Sequence, residues 1–93
     1  MIDKEMFELI KSVEPGANIE IDIKALDGLI TLIGKYKGGL QQEGFYNPKS
    51  GGWSCYESEG WEPCYEFYFQ EEGKRKIYIM QIGWKVEAIR IIK

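Results

Sequence analysis

The residues able to do covalent or acid–base chemistry are few. Cys55 and Cys64 are the only thiols, and the chain has no histidine. A reactive cysteine needs a base or a positive neighbour to hold it as thiolate. Both cysteines stand instead among glutamates, which favour the neutral thiol. The pairs Glu57/Glu59 and Glu62/Glu66 have the residue type for general acid–base work. Clustered carboxylates on strands and turns are more often solvated charges. Two cysteines with eight residues between them lack the partners and the spacing of a zinc site. No Asp-x-Asp-x-Asp-Gly pattern offers a calcium loop. The glycine pairs Gly38-Gly39 and Gly51-Gly52 open no phosphate loop, and no helix follows them. The expectation is a protein without catalytic residues, metal or cofactor.

Binding is the chemistry that remains. The chain has 93 residues and a formal net charge of −3, with a pI near 5.0. Residues 41–72 carry seven glutamates against Lys49, and they hold nine of the chain's aromatic side chains. Residues 73–93 carry six basic residues against Glu87. Tryptophan and tyrosine dominate interface hot spots, and surrounding carboxylates steer a basic partner. Trp53, Tyr56, Glu57, Glu59, Trp61, Glu62 and Tyr68 are therefore the expected partner-binding residues. A small acidic chain of this kind suits an inhibitor or immunity-type protein with a basic protein partner. The alternative is a small ligand or single-stranded nucleic acid, with phosphates met by Lys74, Arg75 and Lys76. The longest apolar run, Gly28–Gly34, is too short to span a bilayer, and Met1–Glu5 does not have the pattern of an export leader. No membrane partner and a cytoplasmic location are expected, with reduced cysteines.

The elements that must position these residues form one domain. Ile2, Met6, Leu9, Ile10 and Val13 recur at helical spacing, which predicts a helix over residues 1–14 capped by Asp3 and stopped by Pro15-Gly16. Residues 17–93 read as extended structure. In Asn18–Ala25, Ile19, Ile21, Ile23 and Ala25 alternate with polar residues, as in a half-buried strand. Asp27-Gly28 is a tight-turn pair. Leu29–Tyr36 is apolar on both faces and is expected to be central, with Gly34 marking a bend or a close backbone approach. Lys37–Gly52 reads as a loop or irregular hairpin. Trp53–Glu57 and Cys64–Gln70 read as two arms of one hairpin around Ser58-Glu59-Gly60, which would set Cys55 nearly opposite Cys64. Tyr65, Phe67 and Phe69 are expected inside, alternating with Cys64, Glu66 and Tyr68 outside. Strands over Lys74–Met80 and Lys85–Ile92 follow. The fold class is mainly β with one N-terminal helix, a strongly bent antiparallel sheet or barrel of five to six strands.

The N-terminal helix, Pro15-Gly16, the alternating isoleucines, Asp27-Gly28 and Gly34-x-Tyr36 resemble the first half of the Sm-like motif. Gly83-x-x-Val86-x-x-Ile89 resembles the second half, and the layout is also similar to Src-homology-type barrels. The resemblance implies a small closed barrel. The Asp and Asn with which Sm-like proteins hold an RNA base are replaced here by Lys37-Gly38-Gly39-Leu40, and Ile82 stands where the second motif has a basic residue before its glycine. The family's RNA pocket does not carry over.

Overall fold

The computed structural model describes residues 1–92. Helix α1 spans Asp3–Lys11. Seven strands follow: β1 (Asn18–Ala25), β2 (Gly28–Tyr36), β3 (Gln41–Tyr46), β4 (Trp53–Ser54), β5 (Glu62–Glu71), β6 (Ile77–Ile82) and β7 (Val86–Ile91). Strands β1, β2, β5, β6 and β7 close a barrel, because β2 pairs with both β1 and β5, and β7 returns to β1. Strands β3 and β4 extend the sheet beyond β5. The expected small barrel with one helix is present, with five strands in the closure and two outside it.

The two periodicities explain the core. Ile19 and Ile21 of β1 point inward with Phe67 and Phe69 of β5, Met80 and Ile82 of β6, and Val86 and Ile89 of β7. Helix α1 adds Met6 and Ile10, which are fully buried, while Leu9 and Val13 pack partly against the same cluster. Ile2 stays exposed as the residue before the helix. Asp3 does not cap α1: the N-cap is Ile2 without a side-chain bond, and Asp3 is the first helical residue. Its carboxylate accepts the Tyr46 hydroxyl instead.

Two seams are short. Strand β2 meets β5 over only Gly34–Tyr36 and Phe69–Glu71. Strands β6 and β7 meet only at the corner between them, where Ile82 faces Val86. Helix α1 packs on those same two strands. The backbone of β7 that faces away from β1 is met by Met1, whose amino group donates to Glu87 O at 3.2 Å and whose Sδ accepts Ile89 N–H at 3.5 Å.

Several expectations are corrected. The turn between β1 and β2 is Leu26-Asp27, since Ala25 already pairs with Gly28. Strand β2 is not buried on both faces: Leu29, Ile30 and Ile33 are 61%, 48% and 43% exposed. Its first half runs past the end of the barrel, where only β1 accompanies it. Of the two readings of 37–52, the irregular hairpin is the one present: it contains β3, which turns back to pair with β4. Strand β4 stops at Ser54, and it pairs with β3 rather than with β5. Cys55 and Cys64 are therefore not opposite one another; both are free, the first exposed and the second buried.

Charge pairing lies on the outer face of β1. Arg90 of β7 donates to both oxygens of Asp22 at 2.6 and 2.9 Å and also pairs with Glu20. Thr31 donates to Asp22 at 2.7 Å. The Arg90 guanidinium and the Thr31 hydroxyl hold the Asp22 carboxyl at about 2, below its usual value of 3.8. Stability from this group is complete above about pH 4 and is lost as the pH falls towards 2. The site is on the surface, so the contribution is on the order of 1 kcal/mol. Urea midpoints of the wild type are expected to fall over that window more steeply than those of Arg90→Gln; equal slopes would show that the pair contributes nothing.

Candidate functional site

The insertion between β2 and β5, residues 37–61, carries most of the predicted partner-binding residues. It is built on β3, which pairs with β5 through Gln41↔Glu66, Gln42↔Tyr65, Phe45↔Pro63 and Tyr46↔Glu62, with a bulge between Gln42 and Phe45. Gly44 sits in that bulge at φ 72°, in the left-handed region, and a Cβ there would press on the Trp53 ring and the Ser54 carbonyl oxygen. The glycine thus lets β3 bend and lets the indole lie against it. Trp53 Nε1 donates to Glu43 O at 2.8 Å, which fixes the ring's direction.

The turn after β3 is tied by its own polar atoms. Asn47 Oδ1 accepts Lys49 N–H at 2.9 Å and Ser50 N–H at 3.3 Å, and Gly51 N–H donates to Asn47 O at 2.8 Å. This is the Asx-turn chemistry that makes asparagine favoured in such positions. The turn also gathers indoles. The Trp61 ring lies against Gly52, and Trp84 Nε1, from the β6–β7 corner, comes within van der Waals reach of a Cβ built at Gly51. Trp84 was not among the residues expected from the sequence. Its isolation from the aromatic centre hid it, because only the corner brings it back to the insertion.

Beneath the insertion the Tyr46 ring is buried. Its hydroxyl donates to Asp3 Oδ2 of α1 and, at 3.3 Å, to Glu62 Oε2 of β5. Burial and the two carboxylates oppose ionisation and push the phenol well above its ordinary range. The contact links helix, insertion and barrel through one side chain. Cys64, buried on β5, has its thiol pushed up to about 11, first by burial and then by Glu66, Asp3 and Glu43. It is held in the unreactive, protonated form.

The predicted residues divide as follows. Trp53 and Tyr56 are 45% and 76% exposed, and Glu57, Glu59 and Glu62 are also exposed. They lie together over Trp53–Glu62, while Trp61 is half-buried in the same stretch. Among the described residues no ion pair engages these glutamates. Tyr68 lies elsewhere. It is six residues along β5 from Glu62, about 20 Å at strand rise, beside Ile79 and against Gly39. Lys74, Arg75 and Lys76 are exposed in the β5–β6 turn, at the far end of β5 from the tryptophans. Gln70 Nε2 donates to Lys74 O and Arg75 O, and Lys76 Nζ lies 5.0 Å from the Tyr78 ring centre. The alternation on β5 is as expected for Phe67 and Phe69, with Tyr65 half-buried and stacked on Phe7 at 4.2 Å. Cys64 departs from it.

A groove of about 600 Å³ opens near that turn, with Ile33, Lys35, Glu71, Glu72, Lys74 and Ile92 in its wall. Among the described residues, no group of three or more Asp, Glu, Cys or His side chains is placed to hold a metal ion. Nor is any helix among them long and apolar enough to cross a membrane. No protein-family model, curated protein or solved structure matches the chain, so the likeness to Sm-like proteins extends to the small-barrel shape and assigns no family.

Proposed function

We propose that this chain is a non-catalytic protein-interaction module of the inhibitor or immunity type, which presents the acidic, aromatic stretch Trp53–Glu62 to a basic partner. One observation supports the reading above others. Trp53 and Tyr56 are large, exposed and followed by Glu57 and Glu59, which no ion pair among the described residues engages, on an insertion the barrel does not need for closure. Side chains on a loop carried by a rigid scaffold are the usual means of recognition. The Trp53 hydrogen bond pre-orders one of the anchors, which lowers the entropy cost of docking. The glutamates supply long-range steering, and that part of the association weakens with salt.

The test is capture of partners by the immobilised protein, followed by affinity measurement with whatever is retained. Tyr56→Ala and Trp53→Ala are each expected to weaken binding by about 30-fold, the size of an interface hot spot. Glu57→Lys with Glu59→Lys should slow association. Retention that survives these changes but is lost with Lys74→Ala, Arg75→Ala and Lys76→Ala together would overturn the reading and move recognition to the basic turn.

A further inference from the structure

The first half of β2 is an unfinished sheet edge. Strand β1 covers one side of it from Gly28 to Lys35, but on the other side β5 pairs only from Gly34 onward, and Glu72 N–H donates to Ile33 O at 2.9 Å. That bond sets the direction of the odd-numbered backbone groups. Those of Leu29 and Thr31 face the same side, where no strand among the described residues meets them. Natural edge strands are protected by charge, proline or bulges. Gly28–Ile33 has no charged residue and no proline, and its ladder with β1 is regular. Leu29, Ile30 and Ile33 are exposed around it, and Leu26 at the hairpin tip is fully exposed.

We propose that the occupant of this edge is a second copy of the same chain, joined about a two-fold axis through β2. The free stretch Gly28–Leu32 is centred on Ile30. Antiparallel pairing about that centre puts Ile30 opposite Ile30 of the other copy and lets Leu29 and Thr31 exchange backbone hydrogen bonds across the axis. The same register runs the other copy's Leu26-Asp27 tip up to Glu71 and Glu72, which already lie opposite Gly34 and Ile33. The groove with Ile33, Lys35, Lys74 and Ile92 in its wall opens at that point and receives the turned-aside tip, whose Leu26 is apolar and whose Asp27 is acidic. Leu26, Leu29, Ile30, Ile33 and Ile92 together leave on the order of 500 Å² uncovered per chain, so the pair buries on the order of 1,000 Å², the size a specific interface needs. The pairing leaves the Trp53–Glu62 surface free and does not rest on the function proposed for it.

Sedimentation over a wide concentration range tests this. The wild type is expected to form a reversible dimer, and Ile30→Lys to sediment as a monomer with an unchanged far-ultraviolet spectrum. Ile79→Lys, at a comparably exposed isoleucine of β6, should leave the dimer intact. In a Cys55→Ser background, Ile30→Cys should form a disulfide-linked dimer under mild oxidation, since directly opposed strand residues have the required separation; this arm holds even if the lysine variant folds poorly. A monomeric wild type, a dimer that survives Ile30→Lys, or one dissolved by Ile79→Lys alone would each overturn the proposal.

Discussion

Replacing Gly34 with alanine is expected to destabilise the barrel by about 3 kcal/mol, the upper part of the overpacking range. That corresponds to a fall in melting temperature of about 12–24 °C for a domain of this size. The reason is steric and local. A methyl group at Gly34 would meet the Gln70 backbone carbon at 2.9 Å and Phe69 Cζ at 2.8 Å, with the Gln70 carbonyl oxygen closer still. The obstacle is backbone, so rotamer changes cannot relieve it. The seam at stake is the three-residue ladder between β2 and β5, so there is little pairing on either side to absorb a shift. Gly60→Ala is the control. It has φ 81° but open space around it, so its cost is only the left-handed strain of about 1–2 kcal/mol. Thermal melts of the two variants separate the effects. A Gly34→Ala protein that melts within a few degrees of wild type would show that the seam does not close as described.

Ile10→Ala is expected to cost about 2–5 kcal/mol, the range for truncating a fully buried aliphatic side chain. The prediction distinguishes a helix that completes the core from one that decorates a finished barrel. Ile10 and Met6 have no exposed surface and belong to the same cluster as Ile21, Phe67 and Ile89. The strands they cover, β6 and β7, pair at a single position, so the helix fills a side the sheet leaves open. Glu5→Ala, on the exposed face, should change stability by less than about 0.5 kcal/mol. Denaturant unfolding of both variants would decide the matter; equal midpoints would mean that the barrel stands without α1.

The parts legible in the sequence are those in which one periodicity runs undisturbed. Met6, Leu9 and Ile10 announce the helix, and Ile19, Ile21 and Ile23 announce β1, whose bounds match the alternation. Strand β3 was hidden because Gln41-Gln42-Glu43-Gly44 has neither alternation nor β-branched residues. It is a strand because β5 and β4 pair on either side of it. The apolar run of β2 suggested burial on both faces, but how far a strand outruns its neighbours is a property of the closed sheet. The aromatic runs Trp53–Glu57 and Cys64–Gln70 read as two arms of one hairpin, whereas β3 stands between β4 and β5. At the candidate surface, residue types pointed to Trp53–Glu62, while the distance to Tyr68 and the approach of Trp84 depend on the corner and the register.

The closure of the barrel has a temporal side. Ile19 pairs with Ile91 and Ile21 with Ile89, so β1, already joined to β2, finds its second partner strand only in β7. Loop-closure entropy must be met before those contacts form, which places folding in the slow, milliseconds-to-seconds class of small β proteins. During synthesis the β1–β2 hairpin leaves the ribosome with its isoleucines uncovered and stays so until β7 has emerged. A chain stalled before Val86 lacks the core residues Val86 and Ile89 as well as the closing strand, and it is open to chaperones and proteases.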